Sequence, residues 1–180
     1  MKKSLSISML LFLLSLFLFL NINNKQANAG AWSNHYLKKF PKSIRGTWYT
    51  YTNFGYGKKK IYKLKANAKK LHFHPYVKHN IGAGALPKAT KKEKRYFNKT
   101  IYWTYCDVFK FQGRKWFNFM GWQQDAGDGD NYNISKLKGH RVLTLAGGAG
   151  NWVSAHYYKS RQLAKKMGEK HYQGFIYMKD

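Results

Sequence analysis

Few residues in this chain are able to do chemistry, and three groups of them stand out. Cys106 is the only cysteine. As a thiolate in the positive field of so basic a chain it would be a competent nucleophile. The plainer reading is a small residue on the core face of a strand. His72 and His74 are two residues apart, so on one strand their imidazoles would share a face. Neutral imidazole is a standard zinc ligand, and His79 would join from a loop. No carboxylate or cysteine lies nearby in sequence to complete that set, which leaves an exposed pair as the alternative. Asp125, Asp128 and Asp130 are interleaved with Gly127 and Gly129. Calcium takes about 6–8 oxygen ligands, which three carboxylates and some carbonyls could provide. The spacing is not that of an EF-hand, and an acidic turn is the alternative.

Other catalytic signatures are missing. There is no Gly-x-Ser-x-Gly, no phosphate-binding loop, no dinucleotide fingerprint and no His-Glu-x-x-His. With 7 acidic residues in the whole chain, paired carboxylates for glycoside hydrolysis are scarce. Catalysis is the minority reading, and neither catalytic residues nor a cofactor are expected.

These residues need a scaffold, and the stretch that organises it is Ile44 to Asn53. Alternation puts Gly46, Trp48, Thr50 and Thr52 on one face of a strand. Gly46 leaves room for a close approach, and Trp48 would plug the end of a barrel. Further strands are expected over Lys58–Leu64, Lys69–Val77, Lys99–Phe111, Lys115–Trp122, Tyr132–Leu137, His140–Ala146, Asn151–Lys159 and Tyr172–Met178. A glycine-rich loop with Gly82, Gly84 and Pro87 precedes a short helix over Lys91–Tyr96, where Thr90 and Glu93 have capping-box spacing. Gln112-Gly113-Arg114 signals a hairpin. Ser160 caps a second helix that Gly168 stops. The expected fold is all-β, an antiparallel barrel of eight or nine strands with a short C-terminal helix, and a β-sandwich is the alternative. Trp48, Trp103, Tyr105, Trp116, Trp122 and Trp152 are the candidates to line its interior and hold a small apolar ligand.

The N-terminus reads as a secretory signal. Lys2 and Lys3 precede an apolar run from Ile7 to Leu20, and Ala27-Asn28-Ala29 is a small-x-small cleavage site. The run is short for a membrane span, which needs about 20 apolar residues. The expected organisation is a signal over 1–29 and one domain over 30–180, exported and extracellular or attached to the cell surface.

The chain carries 33 basic against 7 acidic residues, a formal charge of +26. Cleavage after Ala29 removes Lys2, Lys3 and Lys25 and leaves +23. Such a domain attracts polyanions. In an exported setting these are anionic cell-wall polymers or an anionic lipid surface, rather than nucleic acid. The lysines are spread out: Lys38, Lys39, Lys58, Lys59, Lys60, Lys69, Lys70, Lys91, Lys92, Lys94, Lys165 and Lys166. No one cluster forms a shaped phosphate pocket, and a monomer is expected. With one cysteine there is no disulfide, so stability must come from packing.

The order of parts resembles the lipocalin-like (calycin) superfamily. The residues that carry the resemblance are Gly46 and Trp48, the lead-in before Pro41, and the Ser160–Gly168 helix before Tyr172. The resemblance implies a barrel closed at one end by the lead-in, and a family arginine falling near Arg161. The segments 40–49, 127–132 and 157–164 are similar to small secreted proteins of lactobacilli and their relatives. A second resemblance is to sortases, secreted β-barrel transpeptidases. It implies a His72, His74 or His79 base, a Cys106 nucleophile and an Arg114 partner.

Overall fold

The computed structural model describes residues 37–77, 90–124 and 127–178. The expected signal, the lead-in up to residue 36, the glycine-rich loop with His79, and Asp125 lie outside these residues.

Among the described residues, nine strands form two antiparallel sheets. The first sheet is β1 (Gly46–Thr52), β2 (Lys60–Ala66), β3 (Lys70–Leu71) and β4 (His74–Pro75), in that order. The second is β5 (Thr104–Phe111), β6 (Arg114–Gly121), β7 (Asp130–Leu137), β8 (His140–Gly147) and β9 (Trp152–Tyr157). Two short helices complete the fold, α1 (Lys91–Thr100) and α2 (Arg161–Met167). No continuous ladder closes the sheets into a barrel among the described residues. They meet instead at two isolated bridges, Tyr49–Tyr158 and Tyr76–Thr104. At this level the architecture is two sheets over a shared core, as in the sandwich alternative.

Local sequence explains most of this. Along β1 the inward Trp48, Thr50 and Thr52 are buried while the residues between them are not. β1 pairs with β2 over its whole length, from Gly46–Ala66 to Thr52–Lys60. The β5–β6 and β7–β8 hairpins turn through Gln112-Gly113 and Lys138-Gly139, each with two positive φ values. That twist suits a two-residue hairpin. Ser160 caps α2 by accepting the Leu163 N–H, and Gly168 stops it with φ 55°.

Three expectations are corrected. Lys69–Val77 is not one strand: His72 takes φ 55° and the chain folds back, so that Leu71 faces His74. The first helix runs four residues past Tyr96 to Thr100, and it takes the start of the expected Lys99 strand. Residues 172–178 form no strand. They turn at Gly174, which sits against the Arg114 guanidinium, and fold over the second sheet.

The shared core joins Phe40, Ile44, Trp48, Leu64, Ala66 and Leu71 to Cys106, Phe117, Phe119, Tyr132, Leu143, Ala155 and Tyr157. A satellite core of Val142, Tyr158 and Ala164 is packed by Tyr49, Tyr51, Ile61, Leu163 and Met167, which seats α2 on β1 and β2.

Candidate functional site

The space between the sheets is filled by the protein's own aromatic rings. Phe40 packs against Tyr76 and Phe119 at 4.9 and 5.0 Å between centroids, and Phe119 meets Tyr132 at 5.0 Å. Of the six aromatics expected inside, Trp48 alone belongs to this core. Tyr105 and Trp116 stand on the opposite face of their strands from Cys106 and Phe117. Tyr105 reaches the Met120 sulfur at 3.4 Å, and Trp116 packs on Phe175. Trp103 and Trp122 meet edge to face at 5.1 Å, and the Trp122 indole donates to the Val77 carbonyl at 3.2 Å. On β5 the core takes Cys106, with Val108 packed against it, which is the face the plainer reading of Cys106 expects and not the face of Trp103 and Tyr105.

Trp48 is wholly buried and its indole N–H donates to the Ile44 carbonyl at 2.7 Å. The short 3-10 turn Lys42–Ile44 supplies that acceptor. Two cations lie over the ring, Lys159 at 3.4 Å and Arg141 at 5.9 Å. Burial, then the neighbouring Arg141, lowers the Lys159 pKa. A Cβ on Gly46 would stand 3.0 Å from the Lys159 ammonium, so the glycine makes room for a cation rather than for a ring. Arg161, near which the family arginine falls in sequence, lies over Tyr49 at 5.5 Å.

Cys106 is fully buried in the shared core. Burial first, and the Asp107 charge second, push its thiol well above the usual range. A nucleophilic cysteine needs access and a lowered pKa. Of its expected partners, Arg114 is committed elsewhere, donating to the Gly174 carbonyl at 3.2 Å and lying over Phe175 at 4.2 Å.

His72 sits in the tight turn between β3 and β4 and no longer shares a strand face with His74. His74 lies in a cavity of about 440 Å³ with Asp128, Asp130, Gln124 and Leu71, beside the Tyr76–Thr104 bridge. Thus one of the zinc candidates and two of the calcium candidates do come together. Loss of solvent raises the Asp130 pKa, against the opposing pull of His74. Among the described residues no three His, Cys, Asp or Glu side chains group as a metal site. The acidic turn is ordered from below by an amide. The Asn118 Nδ2 donates to the Asp128 carbonyl at 2.6 Å and to the Asn131 Oδ1 at 2.7 Å.

A second opening lies at the other junction of the sheets. Tyr49 and Tyr158 exchange two backbone hydrogen bonds of 2.7 and 2.8 Å. Beyond them β1 and β9 part, and the Val153 N–H pairs with the Ile176 carbonyl at 2.7 Å instead. The groove left between has a volume of about 560 Å³. Thr50, Thr52, Phe54, Trp152, Ala155, Glu169, His171 and Tyr177 are among the residues that line it. Thr52 donates to Glu169 at 2.8 Å, and Lys59 forms an ion pair with the other carboxylate oxygen. Those two hydrogen bonds, Lys59 first, hold the Glu169 pKa below the usual range. His156 is bonded on both ring nitrogens, to Thr144 at 2.9 Å and to Tyr177 at 2.8 Å. Burial, then His171, pushes its pKa down to about 4, so it is neutral.

Of these groove residues, Trp152 is the one that its type marks in the sequence as a ligand-binding candidate. One signal was there to be used: Glu169 is an isolated acid in a basic C-terminal stretch. His156 and Tyr177 carried none, because the C-terminal fold-over that unites them is not a strand.

Cations are spread over the outer surface of the described residues. Every lysine in the spread named above is exposed. Among the described residues one of them, Lys59, meets a carboxylate. Compared with known proteins, the chain matches no family model, no curated protein and no solved structure.

Proposed function

We propose that this chain is a secreted, non-catalytic binding protein held by its charge at anionic cell-wall polymers. The observation that carries this reading is the unneutralised charge. Lysines stand exposed on both sheets and both helices, and one carboxylate among the described residues answers them. A surface this uniformly positive repels itself, and a polyanion relieves that repulsion. The cations are dispersed rather than gathered round one pocket, so the attraction is diffuse. An anionic lipid surface would draw the protein by the same physics. In this reading the protein works as an extracellular monomer, and nucleic acid is not its partner.

The kinship we read from Gly46-Thr47-Trp48 is with lipocalin-like proteins. The two bridges are then the seams of a barrel that has opened on both sides. A small ligand has its place in a seam, since aromatic side chains occupy the interior.

Charge reversal tests the proposal. Replacing pairs such as Lys91/Lys92, Lys58/Lys60 and Lys165/Lys166 by glutamate should weaken binding to anionic walls in rough proportion to charge, whichever pair is chosen. Loss confined to a single pair would point to a local site and overturn the diffuse reading.

A further inference from the structure

The groove between β1 and β9 carries an inference that deepens the wall-binding proposal and rests on it for its biological setting. In a chain of 33 basic residues, no lysine or arginine lines this groove among the described residues. Its carboxylate, Glu169, is already answered by Lys59 and Thr52. His156 is neutral. The groove is therefore an island with no lining lysine or arginine in a cationic surface.

Its walls are amphipathic in a specific way. Trp152 lies flat on the glycine turn that precedes it. A Cβ on Gly148 would come within 2.8 Å of the indole, and one on Gly150 within 2.4 Å. The ring is thus packed close against the turn, in space that only glycine leaves open, and Trp152 borders the groove. Also in the lining, His171 and Tyr177 stack at 3.7 Å, with an 11° angle between their planes. Thr50, Thr52, Ser154 and Glu169 bring hydroxyl and carboxylate groups to the space between. The volume of about 560 Å³ is that of an ordinary small-ligand site.

We propose that this groove binds a neutral sugar ring, stacked on Trp152 with its hydroxyls toward Thr52, Ser154 and Glu169. A pyranose has an apolar C–H face and a rim of hydroxyls, which matches an aromatic wall beside short polar side chains. A phosphate finds no cation there. A hydrocarbon chain would strip water from the threonines and the carboxylate without replacing those bonds. The same geometry lets a wall glycopolymer place its sugar in the groove while its anionic groups meet exposed lysines elsewhere on the surface.

The test uses the folded protein and neutral probes, tetraoses of N-acetylglucosamine and of glucose, followed by ligand-observed NMR in 1 M salt. High salt silences diffuse charge attraction, so this outcome is independent of binding to anionic walls. The expected result is saturable binding of at least one tetraose, unchanged between low and high salt. It should weaken at least tenfold in Trp152→Ala, and equally in Ser154→Tyr, which fills the groove without removing core packing. Binding of neither tetraose, binding of decanoate in their place, or binding left intact in Ser154→Tyr would overturn the proposal. Reversal of Lys91 and Lys92 should leave tetraose binding unchanged, which separates failure of the groove from failure of the charge reading.

Discussion

The Lys159 ammonium stands 3.4 Å from the centre of the Trp48 ring, and that ring is wholly removed from solvent. The pair ties the first strand to the chain just after the last one. It lies one residue beyond Tyr158, whose backbone bonds to Tyr49 form the bridge between the two sheets. Trp48→Ala should therefore cost about 3–5 kcal/mol, as large core truncations do. Lys159→Met keeps most of the stem packing and loses the cation, for roughly 1 kcal/mol. Thermal or urea unfolding of the two variants checks both. A Trp48→Ala protein as stable as wild type would show that the ring does not hold the end of the core.

Legibility in the sequence followed local chemistry. Ser160, Gly168 and the Gln112-Gly113 turn each announce their element through short-range geometry, and each lies where expected. The inward face of β1 was also readable, because the buried tryptophan and threonines alternate with residues that are less buried. The faces of β5 and β6 were not. Both sides of these strands carry buried residues, since Trp116 packs under Phe175 of the C-terminal fold-over on the far side. Periodicity cannot tell two buried faces apart. The same fold-over builds the groove, so His156 and Tyr177 could not be placed together before the fold was known.

His156 makes stability depend on acid. Its folded pKa of about 4 lies below the ordinary histidine value near 6.5. The unfolded chain binds the proton first as pH falls, so stability is full above about 6.5 and declines toward 4. The difference corresponds to roughly 3 kcal/mol. Replacing His156 by Gln should flatten urea midpoints between pH 7 and 4 relative to wild type. Asp130, whose carboxyl is held above the usual range, works in the opposite direction and cancels in that comparison. Equal slopes in the two proteins would contradict the assignment.

Cys106 should be chemically silent in the native state. It is fully buried, and burial pushes its thiol well above the usual range. A thiol-reactive dye at pH 8 should label it only as the protein unfolds, with a rate that rises through the urea transition. Rapid stoichiometric labelling of folded protein would place the thiol at an accessible site and revive a nucleophilic role.

The central claim is that charge, unshaped and exposed, holds this protein at its partner. The most direct measurement is retention on purified cell walls, with and without their anionic polymers, as salt is raised. The Debye length falls from about 10 Å at 0.1 M to about 3 Å at 1 M, which screens dispersed lysines but not a buried contact. The account predicts strong retention on polymer-bearing walls at low salt, release of folded protein by 1 M salt, and little retention on stripped walls at any salt. Strong retention that survives 1 M salt, or that is equal on stripped walls, would contradict it.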